Sequence, residues 1–186
     1  MLERLYTAAD IAAMPSDLPS GPARYELDNG RLITTVPPGF LHGSIELRIG
    51  SALYTQGELK GHGKGSCGEA GIILWRNPDR VVGADVLFIA KSSLPIRRSP
   101  DGYLETIPDV VIEITSKNDT KDYVARKTAD YLQAGVKQVC IVDPFTNTIT
   151  VHAQGKQPVV LTNGDVWRLE PFIPGFKLAF DDIFKE

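Results

Sequence analysis

Apolar and polar positions change rhythm along this chain, and each change marks an element. "RYELDNGRLITTV" alternates on both sides of Asn29-Gly30, a strong short hairpin signal, and predicts two antiparallel strands. "PPGFLHGSIELRIGSALYTQ" spaces Ile45, Ile49 and Leu53 at a helical period behind two prolines. The glycine-rich "KGHGKGSCGEAG" reads as a loop, followed by the strands "AGIILW" and "RVVGADVLFIA" around a turn at "RNPD". A polar connection leads to another buried strand, "PDVVIEIT". "NDTKDYVARKTADYLQAG" then predicts a helix, with Asn118 or Asp119 as its N-cap and Gly135 as its stop. "QVCIVD" and "TNTITVHAQG" read as an inner and an outer strand, and the tail as a strand with a short amphipathic turn. Residues 1–23 read as a short helix and a Pro/Gly-rich lead-in. This order predicts an α/β fold with a mixed central sheet flanked by helices. "VVIEIT", the helix after it and "VCIVD" would form one parallel crossover.

Two strands break their own pattern: Asp85 interrupts "VVGADVLFIA" and Glu113 interrupts "VVIEIT". A carboxylate set in hydrocarbon is costly unless it is paired, hydrogen-bonded or bound to a cation. Alternation puts Asp85 on the face of Gly83 and Leu87, and Glu113 on the face of Val111 and Thr115. A single such acid is more often half of a structural ion pair or a wet strand end. Two on neighbouring strands repel each other, and a hard divalent cation with oxygen ligands relieves that repulsion. On the following helix Lys127 borders the apolar stripe of Val124, Thr128, Tyr131 and Leu132. Its ammonium either snorkels to solvent or reaches the strand ends. His42 opens the first long helix with Glu46 one turn later, placed either to meet a water or phosphate or to sit on the surface. Glu69 and Tyr25-Glu26 are further candidates from neighbouring segments.

Taken together, these residues resemble the PD-(D/E)XK nuclease superfamily, and more closely the Uma-two family of restriction endonuclease-like proteins. The resemblance covers about residues 22–185 and rests on "RYELDNGRL", the His42 helix, "GADVLFIA", "PDVVIEITSKND", "RKTADYLQAGVKQVCIVDP" and "FIPGFKLAFDDIF". It implies a restriction endonuclease-like core with an N-terminal β-hairpin, and a metal-dependent endonuclease that hydrolyses DNA. Asp85, Glu113 and the backbone carbonyl of Ile114 would hold Mg²⁺ or Mn²⁺, Lys127 would serve the attacking water or the transition state, and His42 would be auxiliary. Two positions depart from the superfamily pattern. Thr115 stands two residues after Glu113, where a lysine is usual, and Ala84 precedes Asp85 where proline is common. Pro108-Asp109 carries the letters of the motif, but Asp109 shares a strand with Glu113, whereas the superfamily draws its acids from successive strands.

Composition narrows the field further. At 186 residues and 42% hydrophobic, the chain suits one domain over 22–186 behind a lead-in at 1–21. No stretch reads as a membrane span or a secretory leader, and two distant cysteines without metal-type spacing suit a reducing compartment, so a cytoplasmic location is expected. The net charge of −3 supplies no global attraction to nucleic acid, which leaves local cations such as Lys91, Arg97, Arg98, Lys117 and Lys121 to hold DNA. Cutting both strands would suit a homodimer. A binding domain that keeps this fold without the chemistry is the competing reading, favoured by Thr115 and the negative charge. A carboxylate-pair glycosidase ranks lower, because 8% aromatic residues with two tryptophans is sparse for a sugar cleft.

Overall fold

A computed structural model describes residues 4–19 and 21–185; residues 1–3 and 20 of the expected lead-in lie outside them. The lead-in holds a one-turn helix, α1 (Ala8–Ala12), closed by a capping box between Thr7 and Asp10, and a ribbon of β1 (Asp17–Leu18) and β2 (Gly21–Pro22). The hairpin at Asn29-Gly30 forms β3 (Arg24–Asp28) and β4 (Arg31–Thr35). Both turn residues take positive φ, 50° and 80°, as a twist-matched two-residue turn requires. α2 (Phe40–Leu53) follows and runs into a π-helical turn at Tyr54–Glu58. β5 (Gly63–Trp75) and β6 (Arg80–Ala90) form a long antiparallel pair. β7 (Val110–Ile114), α3 (Lys121–Ala134) and β8 (Gln138–Asp143) make the expected crossover, with β7 and β8 parallel. β9 (Thr148–Ala153) and β10 (Val159–Leu161) extend the sheet outward. β11 (Val166–Trp167), β12 (Leu178–Ala179) and α4 (Phe180–Phe184) close the chain.

The main sheet runs β10-β9-β8-β7-β6-β3-β4, with β5 also paired to β6. It is therefore mixed, with helices on both faces. Val110, Ile112 and Ile114 of β7 pack with Ile45, Ile49 and Leu53 of α2, in a core that Trp167, Phe176 and Phe180 complete. Val111 of β7 joins Tyr131 of α3, Leu87, Ile89 and Val139 on the other face. Each fully buried Ile, Leu, Val or Phe contributes about 1.5–3 kcal/mol. β7 thus alternates faithfully, and its alternation sends Glu113 to the α3 side.

Three sequence expectations need correction. Glycine-rich 60–71 is a strand for most of its length rather than a loop, paired with β6, and close packing demands glycine at two of its positions. A Cβ on Gly63 would come within 2.1 Å of the Ile89 carbonyl, and one on Gly71 within 2.4 Å of the Tyr103 ring. The α3 N-cap is Thr120, whose Oγ1 accepts from Tyr123 N at 3.2 Å, while Asp119 instead accepts from Ser116 N in the preceding turn at 2.7 Å. Gly135 does stop the helix, at φ 106°. Lastly, β6 does not alternate strictly. Val82 and Ala84 pack in the same cluster as Leu87 and Ile89, so the side-chain phase slips across Asp85-Val86. Two residues of β5, Gly68 and Glu69, bulge opposite that slip.

Asp109, the acid of the Pro-Asp pair, is structural. It is 2% exposed and accepts from Ala90 N (2.6 Å), Ser93 Oγ (3.0 Å) and Lys137 Nζ (2.5 Å), tying the end of β6 to the start of β8. Asp109→Ala should lower the unfolding free energy by about 2–3 kcal/mol, chiefly by orphaning a buried amide. Urea denaturation measures that loss, and Mn²⁺ titration of the folded variant should match the unmodified protein.

Candidate active site

The sheet forks at β6. One edge of β6 carries β7 over Val86–Phe88 and β3 at Val81, and neither strand pairs with the stretch between. Gly83 lies in that gap. Its N–H donates to Glu26 Oε1 at 2.8 Å and its carbonyl accepts from Lys127 Nζ at 2.9 Å, so side chains replace the missing ladder. The β6–β7 register ends at Val86 opposite Ile112, and the next rung, Asp85 opposite Glu113, is unpaired. Ile114 N instead donates to Asp85 Oδ2 at 2.7 Å.

His42, Asp85, Glu113 and Lys127 converge here together with Glu26 and Glu69, whereas Tyr25 donates its hydroxyl to the Pro15 carbonyl at 2.8 Å in the lead-in. His42 Nε2 lies 3.2 Å from Asp85 Oδ2, and both residues are buried. Lys127, 7% exposed, sends its ammonium to Glu113 Oε2 at 2.9 Å and to Glu26 Oε1 at 3.3 Å. The helix margin therefore faces the fork rather than solvent. Tyr131, one turn beyond Lys127, donates its hydroxyl to Glu113 Oε1 at 2.6 Å. Its place in the apolar stripe conceals that bond, although the four-residue spacing puts both side chains over the same strand. Glu46 accepts from Gly68 N, and Arg24 pairs with Glu69, so the bulge opposite Asp85 is fastened from two sides. Glu69 holds a φ of 56°, a conformation non-glycine residues seldom adopt outside constrained sites. Thr115, at the position of the usual lysine, has a buried hydroxyl without a hydrogen-bond partner.

These groups line a cleft of about 310 Å³ that includes Glu26, His42, Asp85, Glu113 and Lys127. Beside it, sharing Ser116 and Asp119, a larger apolar cleft of about 680 Å³ runs along α3 and carries Lys117 and Lys121. Arg98 lines a separate depression along β5, and Lys91 opens the 3₁₀ turn beyond the far end of β6. The local cations are thus split between two regions.

The electrostatics follow from burial and crowding. Burial pushes the Glu113 carboxyl up to about 8; the Lys127 charge opposes the rise, the Asp85 charge adds to it, and hydrogen bonds from Tyr131 and Lys127 oppose it. Burial alone would depress Lys127, but the charges of Glu113, Tyr131 and Glu26 hold its pKa well above the ordinary value. For His42, burial disfavours the charged ring, yet the hydrogen bond to Asp85 and the charges of Asp85, Glu46 and Glu69 raise its pKa on balance. Burial also raises Glu46, against the bond from Gly68 N. Each upward shift means that the folded state retains a proton the unfolded chain has lost, so stability falls with rising pH. For Glu113 the window runs from its ordinary 4.5 to about 8. Chelator-treated protein should therefore show a lower urea midpoint at pH 8.5 than at pH 5.5; an equal or higher one would contradict this account of the site.

The donor set fits a hard cation. Asp85 Oδ1 has no hydrogen-bond partner among the described residues, and the carboxylates and a backbone carbonyl supply oxygen. No group of three or more His, Cys, Asp or Glu among the described residues converges as a cage, so an ion here would keep several waters. Among the described residues no helix is long and apolar enough to cross a membrane.

Among curated proteins none is detectably similar in sequence. Of solved structures, the crystal structure of a "putative nuclease belonging to DUF820" from Anabaena variabilis superposes with a TM-score of 0.75 at 18% identity, over 95% of this chain and 96% of that one. That likeness shows a shared fold. Residues 10–181 match the sequence profile of Uma2, described as "Putative restriction endonuclease", and the chain belongs to that family.

Proposed function

We propose that this chain is a divalent metal-dependent endonuclease acting on DNA. The observation that carries the proposal is the open fork, where Asp85 and Glu113 from two neighbouring strands line one cleft with the buried ammonium of Lys127. The Asp85 charge works against ionisation of Glu113, and a bound cation would relieve that conflict. Asp85, Glu113 and the Ile114 carbonyl would hold Mg²⁺ or Mn²⁺. When bound, the ion supplies activation of water and neutralisation of phosphate charge.

The chain's own residues do the remainder. Lys127, kept charged by its carboxylate partners, stabilises negative charge that grows on the phosphate as the bond breaks. A lysine that stays charged suits this electrostatic role better than that of a base. Asp85 holds the Ile114 amide and the His42 ring together, which fixes the backbone around the Ile114 carbonyl. His42 keeps Nδ1 buried and without a hydrogen bond, 4.0 Å from Glu46 Oε2, and serves as an auxiliary that orients Asp85. Lys117 and Lys121, on the wall of the adjoining cleft, attract the DNA backbone.

The competing reading, a nucleic-acid- or protein-binding domain without chemistry, is favoured by Thr115 at the lysine position. One comparison separates them. Supercoiled plasmid and linear duplex are incubated with Mn²⁺, with Mg²⁺ and with chelator, while calorimetry follows Mn²⁺ binding. Cleavage that needs the ion and disappears in Glu113→Gln is expected. Plasmid binding with no ion uptake and no cleavage would establish the non-catalytic reading.

A further inference from the structure

Lys127 reaches the site from a helix, not from the strand that carries Glu113, and a long flexible stem must be held in place. Three acceptors hold it: Glu113 Oε2, the Gly83 carbonyl and Glu26 Oε1. Glu113 is the one that a cation would claim. Glu26 is not shared in that way. It is 6% exposed on β3, and its Oε1 accepts from Gly83 N and Lys127 Nζ at once. Behind it Arg80 lies 3.9 Å from Glu26 Oε2, and Arg80 in turn donates to the Leu27 carbonyl at 2.9 Å and to Asp130 at 2.7 Å. Charges therefore alternate along a buried chain from Asp130 through Arg80, Glu26 and Lys127 to Glu113. The chain leaves α3 at Asp130, crosses β6 and β3, and returns to α3 at Lys127.

We propose that Glu26 is a positioning residue that holds the Lys127 ammonium beside the Asp85–Glu113 pair independently of Glu113. Lys127 then stays in place when Glu113 turns to a cation, and a helix lysine can do the work of the strand lysine that Thr115 replaces. What Lys127 does there rests on the nuclease reading; where it is held does not.

The test uses two arms on the full chain. In the first, lysine-¹⁵N-labelled, metal-free protein is followed by NMR, with the slowly exchanging Lys127 ammonium signal assigned by its loss in Lys127→Arg. The signal is expected to survive in Glu113→Met and to vanish in Glu26→Met, substitutions that remove the acceptor, whereas an amide at either position could still accept from the ammonium. Survival in Glu26→Met, or loss in Glu113→Met, would overturn the proposal. In the second arm, Glu26→Met should lower kcat about 10–100-fold with KM unchanged, and adding it to Lys127→Met should cost nothing more. Additive losses would overturn it, since they would mean that Glu26 acts elsewhere. Absence of cleavage by the unmodified protein would defeat the nuclease reading, and the NMR arm would still decide the role of Glu26.

Discussion

Asp85→Asn is expected to reduce metal-dependent cleavage about 10³-fold while leaving the protein folded. Electrostatic groups aimed at a reacting centre commonly account for losses of that order when removed. The amide oxygen can still accept from Ile114 N, and the attraction to His42 that is lost offsets the repulsion of Glu113 that is relieved, so the urea midpoint should change little. Mn²⁺ binding by calorimetry should weaken in parallel. Cleavage within tenfold of the unmodified protein would remove Asp85 from the site.

Lys127→Ala should have the largest effect on stability. It strips the shared cation from Glu26 and Glu113, both confined in the interior, and breaking such a buried pair costs about 3–5 kcal/mol. Arg80 offsets a part of this for Glu26 but lies too far from Oε2 for a hydrogen bond. The loss should be larger at pH 9, where Glu113 of the unmodified protein is ionised beside the lysine, than at pH 6, where a proton already neutralises it. Denaturation at both values measures the difference. A pH-independent loss would mean that Glu113 does not need the lysine to stay charged.

Much of this arrangement was legible because it violates local pattern. Asp85 and Glu113 are conspicuous in apolar runs, and both lie at the fork, on paired neighbouring strands. Lys127 is conspicuous at the margin of an apolar stripe, and it faces inward. The hairpin, the crossover and the Gly135 stop follow from turn chemistry and periodicity. What was not legible depends on contacts between distant segments. Glycine-rich β5 looks like loop until β6 is packed against it. The phase slip at Asp85 lies opposite a bulge on another strand, so simple alternation gives that acid the wrong neighbours. Glu26 is a candidate in the sequence, but its tie to Lys127 appears only once Arg80 and Lys127 surround it. Thr120 takes the cap because Asp119 is engaged one turn earlier.

The unfinished rung between β6 and β7 has an evolutionary corollary. Local frustration helps to keep the site open: with an ordinary Thr or Val pair in place of Asp85 and Glu113, only the phase slip of β6 and the bulge opposite it would resist one further rung. Such a change would suit the sheet and the neighbouring core. Under the proposed nuclease reading, activity and fold are therefore separable at this point by very few substitutions.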